Sequence, residues 1–143
     1  MRSPTLARLA LAYLLTTSAL IGLTATVAPR TFYDDFPFLA HWVDLLPPYN
    51  AHLVTDIGGL YLGFAVLFAW AAWALEPTLT RAACVGWLLT ASLHLIFHAG
   101  HLEGFSTADA VAELASLGLL VGAPIVALSA SRTDFSSPKS PRP

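Results

Sequence analysis

The chain has 143 residues, of which 56% are apolar and only 11% are charged, against roughly 25% charged residues in an average soluble domain. The formal net charge of −2 leaves no basic surface of the kind that binds nucleic acid, so nucleic acid is excluded as a partner. The single cysteine, Cys84, excludes an internal disulfide and lies in an apolar run, where we interpret it as a buried hydrophobic side chain.

Four apolar stretches are long enough to cross a hydrocarbon core of roughly 30 Å, which takes about 18 to 20 helical residues. They predict helices over about 9–27, 57–75, 82–100 and 110–130. The stretches lack the period-two alternation of a β-barrel, and the short connections favour antiparallel neighbours. The sequence therefore predicts an all-α integral membrane protein, a four-helix bundle formed by residues 1–130.

Positive charge is distributed unevenly around these predicted spans. Six of the seven Lys and Arg residues lie on one side, and only Arg30 lies on the other. The positive-inside rule then predicts a multi-pass protein of the plasma membrane with both termini in the cytoplasm. In an alternative interpretation, the first span is a signal peptide cleaved near Ala28, which leaves three spans and the same outward loops. Residues 131–143, rich in Ser and Pro, are predicted to be a disordered cytoplasmic tail.

The long connection between the first two spans carries both aromatic and polar residues. Residues 36–46 are predicted to form a short amphipathic helix that lies on the outer membrane surface. Six aromatic residues are expected to be interfacial anchors, namely Trp42, Tyr49, Tyr61, Trp70, Trp73 and Trp87.

Small residues and one proline bear on how the helices pack. Gly59 with Gly63 and Gly118 with Gly122 predict close helix contact inside the bundle, with contact between two copies of the chain as the alternative. Pro124 is expected to remove one backbone hydrogen bond from the fourth helix.

All five histidines and seven of the nine acidic residues fall on the predicted outer side. His94 and His98 are spaced i, i+4 on the third span, so both side chains lie on one helix face and can chelate a metal ion. Asn50 is a suitable N-cap, and a helix that begins there also spaces His52 and Asp56 as i, i+4. Because the second and third helices are antiparallel, we expect these four side chains to converge.

The fourth helix adds a carboxylate to this group. Ser106 and Asp109 have the spacing of a capping box. Glu113 lies one turn further into the membrane, where a carboxylate is costly unless it is paired, ligated, protonated or hydrated. The predicted ligands of a zinc or iron site are His52, Asp56, His94, His98 and Glu113, supported by His101 and Glu103. Two histidines on facing helices are the alternative, as axial ligands of a haem.

Several short motifs stand out along the chain, namely Tyr33-Asp34-Asp35-Phe36-Pro37, His41-Trp42, Leu46-Pro47-Pro48-Tyr49-Asn50, His52 with Asp56, and the run HLIFHAGHLEGF that begins at His94. With these motifs the chain resembles a family of small four-span membrane proteins of actinobacteria that has no known activity. The resemblance covers roughly 32–126 and implies a bacterial plasma-membrane location and four helices, with no ligand or activity to transfer.

Two functions fit these residues best. The first is a membrane protein that binds a metal or haem for redox or related chemistry, and the second is a non-enzymatic accessory subunit that contacts a membrane-protein partner. A proton or solute pathway is a weaker hypothesis, because the inner halves of the spans lack polar residues. An enzyme acting on a lipid or quinone headgroup is also weaker, because the chain has none of the G-x-S-x-G, Walker or G-x-G-x-x-G motifs.

Overall fold

A computed structural model describes residues 3–46 and 48–131, which form five α-helices and no strand. The helices are α1 (Pro4–Val27), α2 (Pro29–Asp35), α3 (Ala51–Ala74), α4 (Pro77–Ala99) and α5 (Thr107–Ala130). All except α2 are long and apolar enough to cross a membrane. The predicted all-helical fold with four candidate spans is thereby confirmed. The predicted tail lies outside the described residues from position 132 onward.

The helices begin earlier than the apolar runs because polar side chains cap their first turns. The Asn50 side chain accepts a hydrogen bond from the Leu53 backbone N–H at 3.1 Å, so α3 starts six residues before the predicted apolar span. Ser106 accepts in the same way from the backbone N–H of Asp109 at 3.1 Å. Both predicted caps are confirmed.

The four long helices pack side by side in the order α1, α3, α4, α5, and α5 closes the bundle against α1. The backbones of α1 and α3 approach each other closely at two glycines. A Cβ atom at Gly22 would lie 2.9 Å from the Leu62 backbone nitrogen, and one at Gly58 would lie 2.9 Å from the Thr26 backbone nitrogen. Only glycine allows this approach without moving one helix away from the other.

The glycine pairs that were predicted to mediate helix packing lie elsewhere. At Gly59, Gly63, Gly118 and Gly122, an added Cβ would meet no described atom within 4 Å. Packing inside the bundle at these pairs is therefore a wrong prediction. The physical reason is helix geometry. Successive residues of a helix point in directions about 100° apart, so Gly58 faces the bundle and the next residue, Gly59, faces away from it. Contact between two copies stays a prediction.

Trp87 is a core residue, which corrects its interpretation as an interfacial anchor. Its side chain is 3% exposed and packs edge-on against the rings of Tyr61, Phe64 and Phe68, with ring centroids 5.1 to 5.4 Å away. The aromatic residues of α3 provide this pocket on the face of the helix that points into the bundle.

The indole of Trp87 also completes the hydrogen bonding of α5. In a regular helix the carbonyl of Leu120 would accept from the N–H four residues later, but that residue is Pro124, which has none. The Trp87 Nε1–H donates to the Leu120 carbonyl at 3.0 Å instead. The predicted loss of one backbone bond at Pro124 is thus compensated by a side chain of α4.

The predicted amphipathic helix over residues 36–46 is not formed, and the short helix α2 precedes it. Residues 36–46 form turns, and Phe38, Leu39 and His41 have positive φ. Pro37 lacks a backbone N–H and disfavours the helical conformation at Phe36, so α2 ends at Asp35. We refer to residues 36–46 as the 36–46 loop.

Candidate functional site

Histidines gather at one end of the bundle, where α1 and α4 end and where α3 and α5 begin. We call it the histidine end, because all five histidines of the chain lie toward it. Arg8 and Arg81 lie toward the opposite end, where the Arg8 Nε donates to the Ala72 carbonyl in the last turn of α3 at 3.3 Å. The two ends of the bundle therefore differ in their chemistry.

Four side chains form a hydrogen-bonded chain across the bundle. The Tyr61 hydroxyl lies 3.4 Å from His94 Nδ1, and His94 Nε2 lies 2.8 Å from His98 Nε2. His98 Nδ1 lies 2.6 Å from Glu113 Oε1. These residues, which we call the histidine chain, connect α3 through α4 to α5.

The histidine chain is enclosed at its Glu113 end. The side chains of His98 and Glu113 are 11% and 6% exposed, and Glu113 Oε2 is buried with no hydrogen-bond partner among the described residues. A buried carboxylate needs a paired or hydrogen-bonding neighbour, and His98 supplies one. The prediction that Glu113 would need a partner agrees with this contact.

The donors and acceptors of the histidine chain can be arranged consistently when Glu113 is ionised and both rings are neutral. The His98 Nδ1–H then donates to Glu113, which leaves His98 Nε2 to accept from the His94 Nε2–H. His94 Nδ1 is consequently an acceptor for the Tyr61 hydroxyl. All four ring nitrogens have a partner in this arrangement.

His52 and Asp56 form a separate pair on the surface. His52 Nε2 lies 3.3 Å from Asp56 Oδ2, and the side chains are 87% and 58% exposed. The positions 52, 56, 59 and 63 lie on one stripe of α3 that faces away from the bundle, whereas Gly58 and Tyr61 lie on the inward stripe. Of the five predicted ligands, the structure therefore brings together only His94, His98 and Glu113.

The two residues predicted to support the ligands lie at the end of α4 and in the connection that follows it. His101 stacks on Phe97 with ring centroids 4.1 Å apart, and its Nδ1 lies 2.7 Å from the Phe97 carbonyl. Glu103 is exposed in the connection between α4 and α5. Among the described residues, neither side chain forms a hydrogen bond with His94 or His98, so their support of a ligand stays a prediction.

The facing Nε2 atoms of His94 and His98 are the part of the site that could ligate a metal. Zinc–nitrogen bonds of about 2.0 to 2.1 Å in tetrahedral geometry separate two nitrogens by about 3.3 Å, so the pair would have to open by roughly 0.5 Å. Glu113 is bound to the other nitrogen of His98 and so orients that ring. Within residues 3–46 and 48–131, no three His, Cys, Asp or Glu side chains are grouped to hold one ion. Metal binding stays a prediction.

A haem between axial histidines requires a different geometry. Its ring plane must separate the two ligating nitrogens, which here lie 2.8 Å apart on one helix. The predicted axial ligands are two histidines on facing helices, but His52, the histidine of α3, lies on the outward face and does not face His94 or His98.

Tyr61 is the member of the histidine chain that sequence reasoning missed, since it was interpreted as an anchor. The positions 58, 61, 65 and 68 follow the alternating three- and four-residue spacing of one helix face. A tyrosine on the same stripe as a glycine that contacts α1 is expected to point into the bundle. The spacing alone joins Tyr61 to Gly58 on one face, and only the contact of Gly58 with α1 shows that this face points into the bundle.

The four long apolar helices suggest a multi-pass membrane protein with a polar chain buried between them. Comparison of the chain with protein-family models, with curated proteins and with solved structures finds no match.

Proposed function

We propose that this protein is a multi-pass protein of the plasma membrane with both termini in the cytoplasm and its histidine end outside. The distribution of cations supports this orientation, because Arg8 and Arg81 lie toward the other end. Arg30, at the histidine end, is paired with Asp34 at 2.7 Å.

Labelling of single cysteines tests the orientation. With Cys84 replaced by alanine, Glu103→Cys lies at the histidine end and Thr78→Cys at the opposite end, both at exposed positions. In intact cells, a membrane-impermeant maleimide should label only the cysteine at position 103. Labelling of position 78 alone would overturn the orientation.

We further propose that the histidine chain binds one transition-metal ion between His94 and His98, for redox or related chemistry. One observation carries this proposal: the two Nε2 atoms face each other, while Tyr61 and Glu113 occupy both Nδ1 atoms. Metal-binding histidines commonly present one nitrogen to the ion and give the other to a carboxylate or another polar group. Imidazole donors suit zinc, copper and iron, and two protein ligands leave positions for water or substrate.

Elemental analysis of the detergent-purified protein tests metal binding. We expect close to one equivalent of metal in the wild type and none in His94→Ala/His98→Ala. The matched control is His52→Ala/Asp56→Ala, which removes the exposed pair and should keep the metal. Circular dichroism checks that each variant is folded. A wild type that holds no metal after reconstitution with zinc, copper or iron would overturn the proposal.

The second candidate is an accessory subunit in which the histidine chain only holds helices together. It is favoured by the complete pairing of the His94 and His98 ring nitrogens, which joins α3, α4 and α5 as polar side chains do between membrane helices. Thermal unfolding with and without a chelator separates the two functions. A bound metal predicts a lower midpoint with the chelator, and the accessory role predicts no change.

A further inference from the structure

The 36–46 loop is attached to the end of the bundle above the histidine chain. The Trp42 Nε1–H donates to Asp109 Oδ1 at 3.1 Å, and the other carboxylate oxygen accepts from the Ser106 hydroxyl at 2.6 Å. Leu45 lies 3.5 Å from where a Cβ atom of Gly104 would be. The loop thus contacts both the first turn of α5 and the connection between α4 and α5.

This attachment lies one helical turn from the buried end of the histidine chain. Asp109 and Glu113 are spaced i, i+4 on α5, so they share one face of the helix. His98 is the second-last residue of α4, yet its side chain is only 11% exposed. Glu113 of α5 lies against His98 at this helix end, and the 36–46 loop is attached one turn of α5 closer to the end of the bundle.

The tip of the loop, at Phe38 and Leu39, is loosely packed, whereas the Tyr33 hydroxyl donates to the Asp44 carbonyl and connects the loop to α2. Phe38 and Leu39 are 84% and 72% exposed, and their φ angles of 48° and 70° lie in the left-handed region that is costly for residues other than glycine. A groove of about 250 Å³ separates this part of the loop from Leu20 and Thr24 of α1. The loop therefore has space to move, and its backbone strain can relax when it does.

We propose that the 36–46 loop is a lid over the histidine chain and that the Trp42–Asp109 hydrogen bond is its latch. Closure keeps water away from His98 and Glu113, which strengthens their hydrogen bond. Opening exposes the His98 ring to the aqueous phase at the histidine end. That the lid controls the entry of a metal ion rests on the proposed function, whereas the lid itself is defined by access to His98.

Chemical modification of His98 tests the lid directly. Trp42→Phe keeps an aromatic ring and removes the N–H donor, and Trp73→Phe is the matched control on an exposed face of α3. The reagent is diethyl pyrocarbonate, and mass spectrometry follows modification of His98 with the exposed His52 of the same molecules as the reference. We expect the His98 rate to rise roughly two- to tenfold in Trp42→Phe, as the loss of one hydrogen bond predicts.

A second variant removes the same hydrogen bond from the other side, so that an effect of Trp42→Phe on packing can be told apart from the loss of the bond. Asp109→Ala removes the acceptor but keeps the backbone N–H that Ser106 caps, so it should raise the His98 rate to a similar extent. Equal His98 rates in the wild type and both variants would overturn the lid, and so would an equal rise in Trp73→Phe.

Metal content in the same samples keeps the two proposals apart. If the wild type binds metal, Trp42→Phe should hold as much and lose it faster to a chelator. An unchanged release rate would overturn control of metal entry by the lid. If no sample binds metal, the proposed metal function fails, and the His98 rates still decide whether the loop is a lid.

Discussion

Two histidine–carboxylate pairs at the histidine end have the same chemistry and different surroundings. His52 and Asp56 are neighbours on one helix, 3.3 Å apart and 87% and 58% exposed. His98 and Glu113 come from two helices, 2.6 Å apart and 11% and 6% exposed. Water solvates the first pair whether or not it is formed, so the contact contributes little to folding. Water does not solvate the buried second pair, so removing one partner leaves the other polar group buried without a hydrogen bond.

The largest expected effect comes from removing one member of the buried pair. Glu113→Ala should lower the free energy of unfolding by about 3 kcal/mol, because His98 loses its buried partner. Asp56→Ala removes the same kind of carboxylate from the exposed pair and should leave stability unchanged. Reversible unfolding in mixed detergent micelles measures both. Equal losses in the two variants would show that burial does not distinguish the pairs.

The carbonyl of Leu120 tests what it costs to leave a buried polar group without a partner when no ionisable side chain is involved. Trp87→Phe keeps one aromatic ring in the core but removes the donor to the Leu120 carbonyl, and the lost hydrogen bond should cost about 1 to 3 kcal/mol in addition to the packing lost with the smaller ring. In a Pro124→Ala background, residue 124 has an N–H of its own to donate. The cost of Trp87→Phe should therefore be smaller there, and a double-mutant cycle measures the difference. Additive costs would contradict a shared role at this carbonyl.

The helices could be predicted from the sequence more completely than their faces. Apolar runs and caps such as Asn50 and Ser106 depend on local chemistry, which determines where a helix begins. The inward face of a membrane helix has no comparable signal, because lipid is as apolar as the protein interior. The spacing of small residues therefore predicts contact at Gly59, whereas the contact is made one residue away at Gly58.

Because the sequence does not show which helix face points inward, only part of the candidate site could be predicted. His94 and His98 are joined by spacing on one helix, so their contact follows from the sequence. His52 shares that spacing with Asp56 but lies on an outward face, and Tyr61 lies on the inward one. Only the packing of α3 against its neighbours distinguishes the two positions. The loop connection between Trp42 and Asp109 spans 67 residues and has no local pattern at all.

The hydrogen bond at the Tyr61 end of the histidine chain should contribute less to the free energy of unfolding than the hydrogen bond at the Glu113 end. Its hydrogen bond to His94 is long, at 3.4 Å, and both groups are neutral in the arrangement described above. Tyr61→Phe should cost about 1 kcal/mol in the free energy of unfolding. In a His94→Ala background the same change should cost almost nothing. An unchanged cost in that background would mean that the Tyr61 hydroxyl does not bind His94.

The smallest expected effect concerns Glu76, a carboxylate at the opposite end of the bundle. Its side chain accepts from the backbone N–H groups of Leu79 and Thr78 in the first turn of α4, and these hydrogen bonds lower its pKa from the ordinary value of 4.5. A lowered folded-state pKa stabilises the fold above the unfolded-state pKa, and this contribution is lost as the pH falls through the folded-state value.

The thermal midpoint should therefore fall slightly as the pH is lowered below about 4.5, and Glu76→Gln should remove that part of the pH dependence. Glutamine can still accept a hydrogen bond, so the variant changes the charge and retains the cap. Because this carboxylate is exposed to solvent, the change should be much smaller than the loss in Glu113→Ala. A pH dependence of the midpoint that is the same in the wild type and Glu76→Gln would show that the contacts with α4 do not stabilise the ionised form.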